Sequence, residues 1–523
     1  MEERKHQHCT LLCTDALCNL QWVERLPDGR LFSLMEHGKP TGPKCSAPAS
    51  QYLFGRISED GGKTWGKPHF LYEWPDHDTA WLVQGWKSDR DGRIHVFASA
   101  ITDYSFQRNS FEGHIAYVRF DSWRGENPLY SDIPALYRYT GSLNNLIETE
   151  NGRMVVPFST YMGGKFVSST IYSDDHGVSW QASNDVVITD TETSCESGAV
   201  EPVIAEVKPG VLIMLIRTVL NRLCYSVSYD NGGSWNAPKP TKLPSSNSPA
   251  TLQKLPDGRI FLAWNDCLGH PMANVRYSSA RQCLHAAISD DGLRTIHGAR
   301  VITKKVIGDH NNVHNAYPTT AMANEKEILL KHFEVYGKLG TNWNVVQAYL
   351  TQLTPDFLEE TDVRNNWAEW VSDLDKTEIG IVMRPTDDNT AHAICNFPYG
   401  TKGSITLTTA GEMPHNCRVL LSDCYLDRLN FMPNEHAEGY EEVIGTPYTE
   451  LKPNVTGIWE IKWDESTVTL CVNGTVIQKQ SKHTDGFNHI TVLFHDEGEL
   501  ALTAFSAHSD AMAWETGIEY EKR

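Results

Sequence analysis

SDDHGVSW at 173–180 carries the pattern Ser-x-Asp-x-Gly-x-Ser/Thr-Trp. The pattern returns as SEDGGKTW at 58–65 and SYDNGGSW at 228–235, with a worn copy, SDDGLRTI, at 289–296. These are turn residues: aspartate bonds its own backbone, glycine supplies positive φ, and tryptophan anchors the turn by burial. From 173 onward the box recurs about every sixty residues. The gap back to 58 is two such periods, and the degenerate AYVRFDSWRGENP at 116–128 stands where a copy is missing.

A second marker runs in phase with the box. It is a strand, a tight polar turn and a second strand: ERLPDGRLFSL, SDRDGRIHVFA, ETENGRMVVPF, EVKPGVLIMLI, QKLPDGRIFLAW and MANEKEILLKHF. The turn glycines are Gly29, Gly92, Gly152, Gly210 and Gly258, with Glu325-Lys326 in the sixth place. Asp-Gly and Asn-Gly between alternating apolar runs are strong hairpin signals. Six such units, each long enough for a four-stranded sheet, predict an all-β chain that begins with a six-bladed β-propeller over 1–355. A linker is expected at 356–375. The strand-like runs GSITLTTAG, CRVLLSDCYL and GIWEIKWDESTVTLCVNGTVIQK then predict a β-sandwich over 376–523, of the concanavalin or laminin-G kind, serving in packing and assembly or in sugar binding.

The 523 residues carry a net charge of −20. That balance argues against non-specific binding to nucleic acid or to an anionic membrane, while a few local arginines can still hold an anionic small ligand. No apolar run reaches the length of about 18 residues needed for a membrane helix. The N-terminal MEERKHQHCTLLCTDALCNL has no apolar signal region, so a cytoplasmic protein with reduced thiols is expected. No cofactor and no metal are expected. The expected partner is a glycan or small sugar, and a homo-oligomer is left open.

Propeller geometry selects the site residues. Positions before each inner hairpin and just after it ring one mouth of the central channel. The first set is Gln21, Val83, Leu143, Glu201, Pro249 and Tyr317. The second is Glu36 and His37, Thr102 and Asp103, Thr160 and Tyr161, Arg217, Asn265 and Asp266, and His332 with Glu334. Polar groups converging on one cavity mark a ligand site. WPDHDTAWLVQGW adds His77 and Asp78 at the entry to blade two. SSNSPATLQ adds Asn247 at the entry to blade five, and GDHNNVHNAYP adds His310 and His314 before Tyr317.

Boxes of this form in phase on six blades resemble the sialidase (neuraminidase) superfamily over about residues 15–355. Three segments carry the resemblance further: EPVIAEVKPGVLIMLIRT, NAYPTTAMANEKEILLKHFE and RQCLHAAISDDG. The resemblance implies that Tyr317 is a nucleophile, that Glu201 is its base, and that Arg217 and Arg281 clamp a substrate carboxylate. These residue types suit a sugar with a carboxylate on its anomeric carbon. A tyrosine oxygen avoids the like-charge clash that an aspartate nucleophile would meet, and arginine forks hold a carboxylate bidentately.

Two elements depart from the family pattern. Gln21 stands where the family has its first clamp arginine. After the first hairpin, Glu36 and His37 stand where an arginine and an acid/base aspartate are usual, which leaves His37, Asp78 or His77 for that proton. The reading is a retaining exo-glycosidase for a sialic-acid-like or other acidic terminal sugar. A propeller polysaccharide lyase acting on uronate glycans and a non-catalytic sugar-binding protein stay open beside it.

Overall fold

In the computed structural model, each box closes the loop between the third and fourth strands of a sheet by the same bonds. In the copy at 173, Ser173 Oγ donates to Asp175 Oδ1 (2.8 Å) and accepts from Gly177 N–H (2.8 Å). Ser179 donates to the same carboxylate through its backbone N–H (2.8 Å) and its hydroxyl (2.6 Å). The copies at 58 and 228 repeat this set. The worn copy repeats it too: Leu293, at φ +69°, takes the place of the glycine and donates to Ser289 Oγ (2.7 Å). Serine and aspartate thus hold the loop even where glycine and tryptophan are replaced.

The inner hairpins follow an equally local rule. Leu26 N–H donates to Arg30 O and Gly29 N–H to Leu26 O, with Gly29 at φ +87°. The same pair of bonds closes the turns at Asp89–Arg93, Thr149–Arg153 and Leu255–Arg259.

The structure describes residues 10–15, 22–37, 51–75, 79–105, 110–133, 146–162, 165–189, 198–267, 281, 283–303, 313–336, 344–355, 362–364, 370–372, 376–377, 380–385, 390–426, 448–495, 497–510 and 513–521. Six antiparallel sheets form the propeller. Blade one is Trp22–Arg25, Leu31–His37, Tyr52–Ser58 and His69–Glu73. Blades two to five open with Ala80–Ser88, Ile147–Glu148, Val200–Lys208 and Thr251–Lys254. Blade six runs Val313–Met322, Ile328–Tyr336 and Asn344–Leu353, and its outer strand is Thr10–Asp15. The ring is therefore closed by a strand from the N-terminus.

Apolar side chains fill the gap between each pair of neighbouring blades. Phe32 and Leu34 pack with Trp86 and Val96 between blades one and two, and Val23 and Leu31 meet Leu329 and Leu350 where blade six returns to blade one. The box tryptophans belong to these seams. Trp180 of blade three packs edge-on to Phe97 and Tyr117 of blade two, and Trp235 of blade four donates to Thr170 Oγ1 of blade three (2.8 Å). The box is scaffolding that fastens each blade to the one before it.

Two further antiparallel sheets form the C-terminal sandwich. One is centred on Leu500–Ser509, Gly403–Ala410 and Ile458–Trp463, the other on Thr390–Gly400, Phe487–His495 and Arg418–Ser422. Their inner faces share one core that includes Leu407, Trp459, Val419 and Val492. Three segments differ from the expected division. Asp362–Arg364 and Trp370–Ser372, expected in the linker, pair into the sandwich sheets. The last segment leaves the sandwich: Trp514–Glu515 adds a fifth strand to blade five beside Thr295–Ile296. No helix among the described residues is long and apolar enough to cross a membrane. Cys224, Cys267, Cys283, Cys395, Cys417 and Cys424 are buried.

Candidate functional site

Two of the innermost strands carry a bulge at a residue followed by proline. In blade four, Val200 pairs with Arg217 and Val203 with Leu215, so the strand holds one extra residue at Glu201-Pro202. In blade six, Ala316 pairs with Phe333 and Thr319 with Lys331, so the extra residue falls at Tyr317-Pro318. Proline gives the ladder no N–H, and a bulge turns the side chain before it out of the alternation. Glu201 and Tyr317 both sit in the left-handed region, at φ +44° and +54°. A non-glycine residue is seldom held there, and such positions concentrate at functional sites.

The bulges bring five groups from three blades together. Arg217 Nη1 donates to Glu201 Oε2 at 2.5 Å, and Arg217 Nε donates to Asn247 Oδ1 at 2.6 Å. Arg281 Nη2 donates to the Asn247 carbonyl at 2.8 Å, and its guanidinium lies 5.1 Å from the centre of the Tyr317 ring. Glu201, Arg217, Arg281 and Asn247 are buried, whereas Tyr317 is half-buried. Burial pushes the Arg281 guanidinium below its ordinary range and Arg217 adds to that, while Tyr317 and Glu201 oppose it. The cluster holds two guanidinium groups against one carboxylate, an arrangement that can receive an anion beside a phenol hydroxyl.

Asn247 holds both arginines, one through its side chain and one through its backbone, so it positions the pair. Ser159 was not anticipated. It lies in the second strand of blade three, Met154–Met162, one position before the Thr160 and Tyr161 named from the sequence, and its Oγ accepts from Glu201 N–H at 3.3 Å. The Glu-Pro and Tyr-Pro pairs within strand-like runs were the readable signal for the bulges.

Other expected site residues lie elsewhere. The Glu36 carboxylate accepts from Val83 N–H (2.7 Å), tying blade one to the innermost strand of blade two. His37 is exposed at the end of its strand, edge-on to Phe54. Asp266 is a correction: it is fully buried against the sandwich, where its backbone carbonyl accepts from Tyr425 N–H and its side chain from Asn488 (3.2 Å). It follows the second strand of blade five, whose end packs on the C-terminal sheets instead of opening to the channel. Gln21, His77, Asp78 and His310 lie outside the described residues, and of His314 only the strand backbone is described.

The sequence profile for the BNR repeat-like domain matches residues 54–329, more than half of the chain. The chain belongs to the BNR repeat-like family. No curated protein matches this BNR repeat-like chain. Among solved structures it is similar to Trypanosoma rangeli sialidase, at 12% identity and TM-score 0.45 over 94% of this chain and 92% of that one. It is also similar to the Hadza microbial sialidase Hz136, at 16% identity and TM-score 0.44 over 64% and 65%. A protein of unknown function from Dyadobacter fermentans shares 17% identity, with TM-score 0.43 over 67% of this chain and 99% of that one.

Proposed function

We propose that the protein is a retaining exo-glycosidase that removes an acidic, sialic-acid-like terminal sugar. The observation that carries the reading is the constellation itself. Two strained Xaa-Pro bulges present a glutamate and a tyrosine, and two buried arginines held by one asparagine stand beside them. Arg217 and Arg281 receive the substrate carboxylate and so fix the anomeric carbon near Tyr317. The Tyr317 oxygen attacks that carbon while Glu201 accepts its proton. The glycosyl–tyrosine bond is then hydrolysed by water with retention of configuration. Charge-assisted bonds to a carboxylate contribute about 1.5–3 kcal/mol each, so the two arginines supply both affinity and orientation. His37, His77 and Asp78 remain the residues proposed to protonate the leaving group.

Turnover of aryl glycosides bearing sialyl, uronyl or deoxy-sugar groups tests the reading. Release of the aryl group from an acidic glycoside is expected, with kcat reduced by on the order of 10³-fold in Tyr317→Phe. Undiminished activity of that variant contradicts the assignment. An unsaturated product absorbing in the ultraviolet from uronate glycans would instead favour the lyase, and binding without turnover across the panel the non-catalytic protein.

A further inference from the structure

We propose that Asp266, His285 and His489 form a divalent-metal site, suited to zinc, that clasps blade five to the C-terminal sandwich. The proposal is independent of the glycosidase reading. Asp266 follows the second strand of blade five, His285 lies on its third strand, Leu284–Ser289, and His489 lies on Phe487–His495 of the sandwich. All three are fully buried, and one ligand atom from each falls within 4.8 Å of the other two.

The geometry of the imidazoles fits a shared ion. Their Nε2 atoms stand 3.2 Å apart. A tetrahedral ion at ~2.0–2.1 Å from each ring nitrogen sets those nitrogens about 3.3 Å apart. His489 Nδ1 lies 2.6 Å from Asn488 Oδ1, which makes Nδ1 the protonated nitrogen and turns the Nε2 lone pair toward His285. Asn396 Nδ2, at 3.4 Å, is the other polar atom near that lone pair. The Asn488 amide donates to Asp266 Oδ2, so one side chain orients two of the three ligands, as outer partners of metal ligands commonly do.

A second observation points to a ligand. Asp266 Oδ1 is buried with no hydrogen-bond partner among the described residues. A divalent cation supplies the positive charge that a buried carboxylate requires, and two imidazoles with one carboxylate suit zinc. The ligands come from two sheets far apart in sequence, so no short motif announces them.

Metal binding by the full chain tests this. The purified protein is stripped with a chelator, then titrated with Zn²⁺ and Co²⁺ while visible absorption and thermal unfolding are followed. The expected result is one equivalent bound, tetrahedral-type cobalt bands, and a rise in melting temperature that ends at one equivalent. His489→Gln and Asp266→Asn, compared by circular dichroism, should lose that equivalent. If neither variant folds, X-ray absorption at the zinc edge of the wild type decides: nitrogen and oxygen ligands with imidazole scattering support the site. Failure of the stripped wild type to take up either ion, unchanged uptake in folded variants, or a sulfur-dominated ligand shell would each overturn it. The first of these results would leave the histidines as a plain hydrogen-bonded pair.

Discussion

At the scale of single residues, the candidate site depends on a buried charge set that is costly to break. Arg217 is the hydrogen-bonded partner of the Glu201 carboxylate, and both are buried. Removing one member of such a pair strands the other, so Arg217→Ala should destabilise the fold by about 3–5 kcal/mol in chemical denaturation as well as abolishing turnover. Asn247→Ala removes the acceptor for Arg217 Nε. It should cost about 1.5–3 kcal/mol, consistent with one charge-assisted bond. Because Asn247 positions the arginines, its loss should raise KM for an acidic glycoside more than it lowers kcat. Equal effects on both constants would argue against that role.

At this scale Glu201, Arg217, Arg281 and Tyr317 were legible, because the phase of the repeat and the resemblance fix where the inner strands begin. The positive φ of Glu201 and Tyr317 was not, because a bulge is decided by the pairing of the two strands. The proline after each was its one local trace. Asp266 was misplaced for a related reason: counting along blade five gave its height in the sheet, but which neighbour covers that end is a tertiary fact.

At the scale of the element, the box holds blades together by tight approach, whereas the inner-hairpin glycines have room around them. A Cβ on Gly177 would lie 1.9 Å from Tyr117 Oη in blade two, whereas one on Gly152 would meet no atom within 4 Å. Both glycines have positive φ, +79° and +89°. Gly152→Ala should therefore cost about 1–2 kcal/mol for the backbone alone. Gly177→Ala should cost about 1–3 kcal/mol more, measured by urea unfolding, as blade three is pushed off blade two.

The seam at Gly177 also contains the buried network of Asp89. His95 Nε2 lies 3.1 Å from its carboxylate, Arg93 Nη1 donates to it at 3.0 Å, and His95 Nδ1 meets Tyr117 Oη at 2.8 Å. Burial pushes the Asp89 carboxyl up, but the bonds from His95 and Arg93 outweigh it and bring it to about 2, below its ordinary 3.8. The folded value lies below the unfolded one. The stabilisation is therefore full above the ordinary value and is lost as pH falls toward 2. It amounts to about 2 kcal/mol. Unfolding free energy measured between pH 5 and pH 2.5 should fall less steeply in Asp89→Asn than in the wild type. The boxes and hairpin turns were legible from sequence because their hydrogen bonds are local, and the copy with Leu293 shows that serine and aspartate are enough.

At the scale of the whole molecule, the chain ends are what tie the architecture together. Thr10–Asp15 completes blade six, and the C-terminal segment returns to the seam between blades four and five. Trp514 stacks on Tyr399 with ring centres 4.5 Å apart, Thr516 Oγ1 donates to Leu293 O, and the Tyr520 hydroxyl donates to the box carbonyls of Asp291 and Gly292. Trp514→Ala should cost about 3–5 kcal/mol, read from the midpoint of thermal or urea unfolding. These long-range pairings had no local signature, since a strand added to a distant sheet edge carries the same alternation as any other. Blade count and phase were legible because they repeat, while ring closure and the docking of the sandwich on blade five occur once each.

The ring also brings Glu201, Arg281 and Tyr317 from three blades into one cluster, where covalent chemistry on Tyr317 is proposed. The most direct measurement is the intact mass of the protein after incubation with a fluorinated, activated glycoside of an acidic sugar, followed by peptide mapping. One glycosyl group added per chain is expected, located on Tyr317 and absent from Tyr317→Phe. An adduct on another residue, or steady turnover of the parent glycoside with no adduct on Tyr317, would contradict it.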